Sequence, residues 1–230
     1  DGKQNIAETS LAAPLGSGPY KIGTVTPGRS IEYVRDPNYW GRDLPINKGR
    51  FNFDKIAYDY YKDDNVALEA FFAGEYDFRN ENTAKLWATA YDAPAVKDGR
   101  IVKEIIPHTR PQGMQGFMFN IRRPVFTDAK VREALAYAFD FEWSNKQFAY
   151  GEYKRTDSYF ENSELAATDG APTGRVLEIL ESYRGKTPES VFTTRYAPPK
   201  TNGTGNNRMN LKKAAELLDA AGYKLGADGV

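Results

Sequence analysis

The stretch "NVALEAFFAGEYDFRNEN", residues 65–82, changes its hydrophobic period within a few positions, and that change restricts what the chain can fold into. Val66, Leu68, Ala70, Phe71 and Phe72 give a short helix with a wide apolar face, and Asn65 reads as its N-cap. Gly74 supplies the positive-φ residue that ends a helix at little cost. Tyr76, Asp77 and Phe78 then alternate as a short strand does. A helix that hands over to a strand across one glycine is the α-to-β step of an open sheet. In such sheets ligands sit beyond the carboxyl ends of strands, which makes Arg79, Asn80 and Glu81 candidate binding positions.

The remaining segments predict the same class. "GPYKI" through Val25 and "SIEYVRD" at 30–36 read as strands split by the turn "TPGR", and residues 53–63 alternate as a third. Residues 82–91 predict a helix and 101–106 a further strand. The near-continuous apolar run "GMQGFMFNI", 113–121, predicts a strand buried on both faces. Residues 128–139 give the clearest helix, capped by Asp128 and striped by Val131, Leu135 and Phe139. The tract 150–175 is rich in Gly, Ser, Thr, Asp and Pro and reads as a long ordered loop, of the kind that usually carries function. A short helix at 174–183 follows. Asn210 is the expected cap of a last helix that Gly222 closes. The predicted fold is α/β: a mixed β-sheet with strands near 20–25, 31–36, 55–62 and 113–120, flanked by helices near 66–73 and 128–139.

Composition removes several kinds of chemistry. The 31 basic and 31 acidic residues cancel, so nothing suggests a general nucleic-acid binder. There is no cysteine, which excludes thiol redox chemistry and thiolate metal sites and suits a periplasm as well as a cytosol. The single histidine, His108, sits in "PHTRPQG" and reads as a loop residue. No HExxH spacing and no G-x-S-x-G elbow is present, so neither a metal, a cofactor nor a catalytic nucleophile is expected. "GTGNN" at 203–207 lacks the strand-before, helix-after order of a phosphate loop and reads as a turn. Arg122 and Arg123 close the 113–121 run as solvated cations. The 15 Tyr, 13 Phe and 3 Trp fit a chain that grips organic ligands. No apolar run approaches bilayer length, and the first residues do not form a signal peptide. Both ends read as cut from a longer chain.

Four motifs then occur in a characteristic order: "GSGPYKI" (16–22), "AFFAGEYDF" (70–78), "FMFNIRRPVFTDAKVREALAYAFD" (117–140) and "NLKKAAELLDAAGY" (210–223). On these the chain resembles the extracellular solute-binding proteins of family 5, which feed peptide and nickel ABC importers. "YGEYKRTDSYFENSELA" followed by "APTGRVLEILESYR" looks especially like the branch that takes up oligopeptides and microcin C. The resemblance implies a periplasmic binding protein-like lobe (type II, cluster C) with an incomplete second lobe. Residues 1–185 would form the central part of lobe one and 186–230 the start of lobe two. It further implies a periplasmic monomer that binds an oligopeptide or peptide-like solute, delivers it to permease subunits and is not an enzyme.

A binder of this kind needs a cleft rather than a nucleophile, and peptide ligands can be held as an added strand. The resemblance places 113–120 along the cleft wall, with Asn120 as the leading polar contact. Gly113 and Gly116 allow close approach of backbone to ligand. Met114 and Met118 either mould to varied side chains or pack in the sheet. Tyr153, Ser158, Tyr159 and Phe160 supply aromatic and hydroxyl contacts from the long loop, and Arg79, Asn80 and Glu81 lie at the cleft edge. Two further readings stand beside this one. The cargo could be an opine or sugar–phosphate facing Arg122, Arg123 or Arg155, or the chain could be a carbohydrate-active enzyme using paired carboxylates.

Overall fold

The computed structural model describes residues 7–8, 10, 12–167, 169–224 and 226. Contacts divide the chain into two compact units, Asp1–Asn80 and Glu81–Val230.

The first unit is built on three strands, β1 (Tyr20–Thr26), β2 (Ser30–Arg35) and β3 (Lys55–Asp59), joined antiparallel in the order β1-β2-β3. The β1–β2 turn is set by "PG": Arg29 N donates to Thr26 O at 2.9 Å and Gly28 takes φ 73°. That positive φ at the third position is what a type II turn requires. Register slips by one residue between Ile22↔Tyr33 and Val25↔Ile31, a bulge that places two β1 residues opposite one of β2. Gly23 sits in it, and a Cβ there would lie 2.9 Å from Val34 Cγ2. The loop 36–54 folds back on the sheet through Tyr20 Oη to Phe53 O at 2.8 Å and Trp40 Nε1 to Ser17 O at 2.9 Å. Tyr20, Tyr39, Trp40 and Phe51 meet there edge to face.

Helix α1 (Asp64–Ala73) follows β3 and buries Leu68. Its cap is Asp63, whose carboxylate accepts from the amides of Asn65 and Val66 at 3.0 Å each, so the helix starts before the expected Asn65 cap. Gly74 ends it at φ 81°, as the sequence predicts. The strand predicted at 76–78 does not form. Tyr76 Oη instead donates to Ala67 O at 2.8 Å and its ring packs on Phe71 and Tyr61, which turns the chain back along α1 and away from any ladder.

The second unit is helical. Its described elements are α2 (Ala84–Thr89), α3 (Pro94–Lys97), α4 (Pro124–Thr127), α5 (Ala129–Ala138), α6 (Phe141–Phe148), α7 (Gly174–Glu181), α8 (Ser190–Thr193) and α9 (Arg208–Ala220). Asp128 caps α5 through Lys130 N at 2.8 Å, as expected. Helices α5 and α9 pack on one another, and Val131, Ala134 and Ala214 are the buried side chains of this pair. Small residues on both faces let the backbones approach, and Asn207 Nδ2 ties the start of α9 to Tyr137 O (3.2 Å) and Ala138 O (3.3 Å) at the end of α5. Helix α9 therefore begins at Arg208, ahead of the expected Asn210 cap. Asn210 donates to Lys200 O at 3.1 Å instead.

The α/β class holds, but the sheet is antiparallel throughout the described residues, and the mixed sheet with 113–120 as a member is not formed. Residues 101–106 and 113–120 form neither helix nor strand and join no ladder among the described residues. A buried strand needs strands on both sides, and neither segment has one among the described residues. Phe117 is 84% and Met118 92% exposed. Among the described residues no helix is long and apolar enough to cross a membrane.

Candidate functional site

Within the second unit three segments converge: the irregular run 108–120, the start of the long loop at 150–163, and helix α6. Asn145 of α6 holds the loop by its backbone, donating from Nδ2 to Tyr153 O at 2.6 Å and accepting from Tyr153 N at 3.1 Å. Tyr150 and Gly151 precede this clamp at φ 57° and 82°, two consecutive left-handed residues that reverse the chain. Arg155 is then fixed through Pro199 O at 2.5 Å, with its guanidinium 5.7 Å from the ring centres of Phe139 and of Phe141. Arg195 binds Asp157 at 3.0 Å and also pairs with Asp169, joining two points of the loop. Arg155 and Arg195 are thus engaged by protein groups.

The turn 158–163 is bonded inward. Ser158 is 8% exposed, and its Oγ accepts from Ala167 N at 3.0 Å and Phe160 N at 3.4 Å. The hydroxyl expected to face a ligand therefore organises the loop. Asn162 takes φ 67° and donates from Nδ2 to His108 O at 2.6 Å and Arg110 O at 3.1 Å. Gln112 N donates to Glu161 O at 2.8 Å, and Glu161 also pairs with Lys154. The Glu161 carboxylate raises the Lys154 ammonium above its ordinary value. Outward from this frame, Tyr159 is 79% and Phe160 51% exposed. His108 is a loop residue, as expected, whose Nδ1 accepts from Arg110 N at 3.2 Å.

The run that continues from Gln112 is open. No backbone hydrogen bond joins residues 113–119 to another described residue. Neither Gly113 nor Gly116 has an atom within 4 Å of where a Cβ would stand, so both leave space beside the backbone. Met114 and Met118 are exposed, which disfavours their alternative role in buried sheet packing. Phe117 leans on Phe139 and Phe119 on Phe126. Asn120 is exposed, and its Oδ1 accepts from Arg122 N and Arg122 Nε, both at 3.2 Å. This is an Asx turn that leads the chain into the Pro124 start of α4.

The structure thus brings the 113–120 and 153–160 candidates into one unit, tied through 108–112. Arg79 and Asn80 belong to the first unit, where Arg79 Nη1 donates to Tyr76 Oη at 3.3 Å. Glu81 opens the second unit and accepts from Thr83 N at 2.9 Å and Tyr91 Oη at 3.0 Å. Sequence reasoning missed Asn145 and Asn162. Asn162 follows an aromatic pair in a loop, and a non-glycine residue able to adopt positive φ is the one signal it offers.

A separate concavity of about 340 Å³ lies where the "GTGNN" turn meets helices α5, α6 and α9, lined by Ala138, Asp140, Trp143, Thr204, Gly205, Asn207 and Leu211. Asp140 caps α6 through Trp143 N at 3.0 Å and accepts from Thr201 Oγ1 at 2.5 Å. None of the expected binding residues lines this hollow. The glycine-rich stretch is a turn, as predicted.

Comparison with known proteins agrees with the architecture. Residues 2–230 match the model of the family described as bacterial extracellular solute-binding proteins, family 5 middle. The chain is 46% identical over 228 residues to a probable peptide-binding protein YejA of Agrobacterium fabrum, covering 98% of this chain and 37% of that protein. It is 47% identical over 220 residues to an uncharacterized protein YejA of Escherichia coli K12, covering 96% of this chain and 36% of that one. The chain therefore spans little more than a third of either relative. Its fold is similar to that of NikA from Brucella suis in complex with Fe(III)-EDTA, with a TM-score of 0.57 at 22% identity, over 93% of this chain and 34% of that one. The chain belongs to the family 5 bacterial extracellular solute-binding proteins.

Proposed function

We propose that the full-length protein is the substrate-binding component of an ABC importer, which captures oligopeptides or peptide-like solutes in the periplasm and delivers them to a membrane permease. The observation that carries this reading is the run 113–119: outside any helix or strand, exposed except for half-buried Phe119, and without backbone partners among the described residues. Unpaired amides and carbonyls are what an added peptide strand pairs with, and main-chain bonding of this kind is indifferent to ligand sequence. Family membership and the 46% identity to a relative named for peptide binding support the same cargo.

In this reading Gly113 and Gly116 let the ligand backbone approach, and Met114 and Met118 adapt to its side chains. Asn120 adds one polar bond, and Tyr153, Tyr159 and Phe160 form an aromatic rim. Ser158 supports that rim from below. The protein works as a monomer and performs no chemistry on its cargo. The test is native mass spectrometry of the full-length protein as secreted, with the co-purified molecule released and identified. A peptide-like ligand supports the proposal. An opine, a sugar–phosphate or a sugar released in cleaved form refutes it.

A further inference from the structure

We propose that Asn162 is a positioning residue that sets side-chain specificity, by fixing Tyr159 and Phe160 as a rigid platform beside the 113–119 edge. The inference rests on the peptide-binding reading above and adds to it the part of the protein that discriminates between peptides.

Three hydrogen bonds cross about fifty residues of sequence to hold this turn. Two are made by the Asn162 carboxamide to His108 O (2.6 Å) and Arg110 O (3.1 Å), and the third runs from Gln112 N to Glu161 O at 2.8 Å. All three end on the residues immediately before the open run. Asn162 reaches both carbonyls from φ 67°, a conformation that asparagine tolerates better than most residues with a side chain. From inside, Ser158 Oγ accepts the amide of Phe160 at 3.4 Å and that of Ala167 at 3.0 Å. The polar groups of the turn are therefore consumed inward, whereas the two rings at its apex are 79% and 51% exposed. No ring contact links Tyr159 or Phe160 to another described aromatic residue, unlike Phe117 and Phe119 of the neighbouring run. A platform held this firmly, with two unstacked aromatic faces, suits an apolar or aromatic side chain of a peptide whose backbone lies along 113–119. Rigid aromatic groups offer contact area with little loss of conformational freedom.

The test titrates the full-length protein calorimetrically with tetra-alanine and with tetra-alanine carrying one phenylalanine at each position in turn. Wild type should bind at least one phenylalanine peptide about 10-fold more tightly than tetra-alanine, the size of effect one aromatic contact brings. The Tyr159→Ala/Phe160→Ala variant, which alters only exposed side chains, should lower that preference below about 2-fold. Asn162→Gly keeps the left-handed backbone and removes only the carboxamide; it should lose the preference to the same extent. Adding it to the double variant should cause no further loss. Should Asn162→Gly not fold, Asn162→Asp, which retains size and backbone preference but not the amide donors, is read in its place. Retention of the preference in the Asn162 variant overturns the inference. Equal wild-type affinity for all the peptides overturns it while the peptide-binding reading stands, and no binding of any peptide overturns both.

Discussion

Asn120 offers a substitution in which two roles of one side chain separate by chemistry. Its Oδ1 accepts from Arg122 N and Nε at 3.2 Å, long bonds at an exposed position, so the turn they hold is worth roughly 0.5 kcal/mol. Its Nδ2 has no partner among the described residues and is the atom we assign to the ligand. Asn120→Asp keeps an acceptor for Arg122 and replaces the donating amide with an oxygen. In the full-length protein the melting temperature should therefore stay within about 2 °C of wild type. A lost neutral hydrogen bond of about 0.5–1.5 kcal/mol should raise the dissociation constant for a bound peptide roughly 2- to 12-fold. Asn120→Ala should show the same loss of affinity and a slightly lower melting temperature. Calorimetric titration and thermal melting of the two variants decide the matter. Unchanged affinity in Asn120→Asp, with lowered stability in Asn120→Ala, would refute the ligand role and leave Asn120 as a turn residue alone.

Three further outcomes follow from the fold. Asn145→Ala removes both bonds to the Tyr153 backbone and should cost about 1–2 kcal/mol, seen as faster hydrogen exchange at the Tyr153 amide. Gly205→Ala places a Cβ at φ 82° and 3.0 Å from Trp143 Nε1, so it should destabilise by about 1–3 kcal/mol and shift tryptophan fluorescence; unaltered melting would contradict the described turn. Lys55, helped by Thr24, holds the Glu32 carboxyl below its ordinary value across β2 and β3. Its contribution is present above the unfolded value of about 4.3 and is lost as pH falls through the lowered folded value, so Glu32→Gln should weaken the acid dependence of melting.

Much of the fold is legible in the sequence where the signal is local. The "TPGR" turn, the strand-like runs of β1 to β3, the glycine that ends α1 and the Asp128 cap all act over a few residues, and each appears where expected. Caps moved where a neighbouring carboxylate or a tertiary bond competed, as with Asp63 before α1 and Asn207 before α9. Strands were over-read for a different reason. Residues 76–78, 101–106 and 113–120 have strand-like composition, but a strand is defined by a partner, and no short window shows whether one exists. At 76–78 the competing bond from Tyr76 to Ala67 decided the outcome. Helix α6 went unread because its apolar residues, Phe141, Trp143 and Phe148, are spread among polar ones.

The candidate site was legible as a pair of segments and opaque as a structure. Aromatics in a long loop and glycines in an apolar run can be seen in the sequence. Which of them face outward depends on bonds between residues about fifty apart, such as Asn162 to His108. Ser158 shows the consequence: a hydroxyl expected to reach a ligand is instead enclosed and bonds two loop amides.

The central claim is that a peptide is held through its backbone along residues 113–119, and one measurement bears on it most directly. The full-length protein is titrated with a peptide that it binds and with the same peptide N-methylated at successive amides. Each methyl removes one donor and blocks strand pairing while every side chain is kept. The account predicts a loss of at least about 10-fold at alternate amides, those that face the protein strand, and little change at the others. Equal affinity for the parent and for every N-methylated peptide would contradict it.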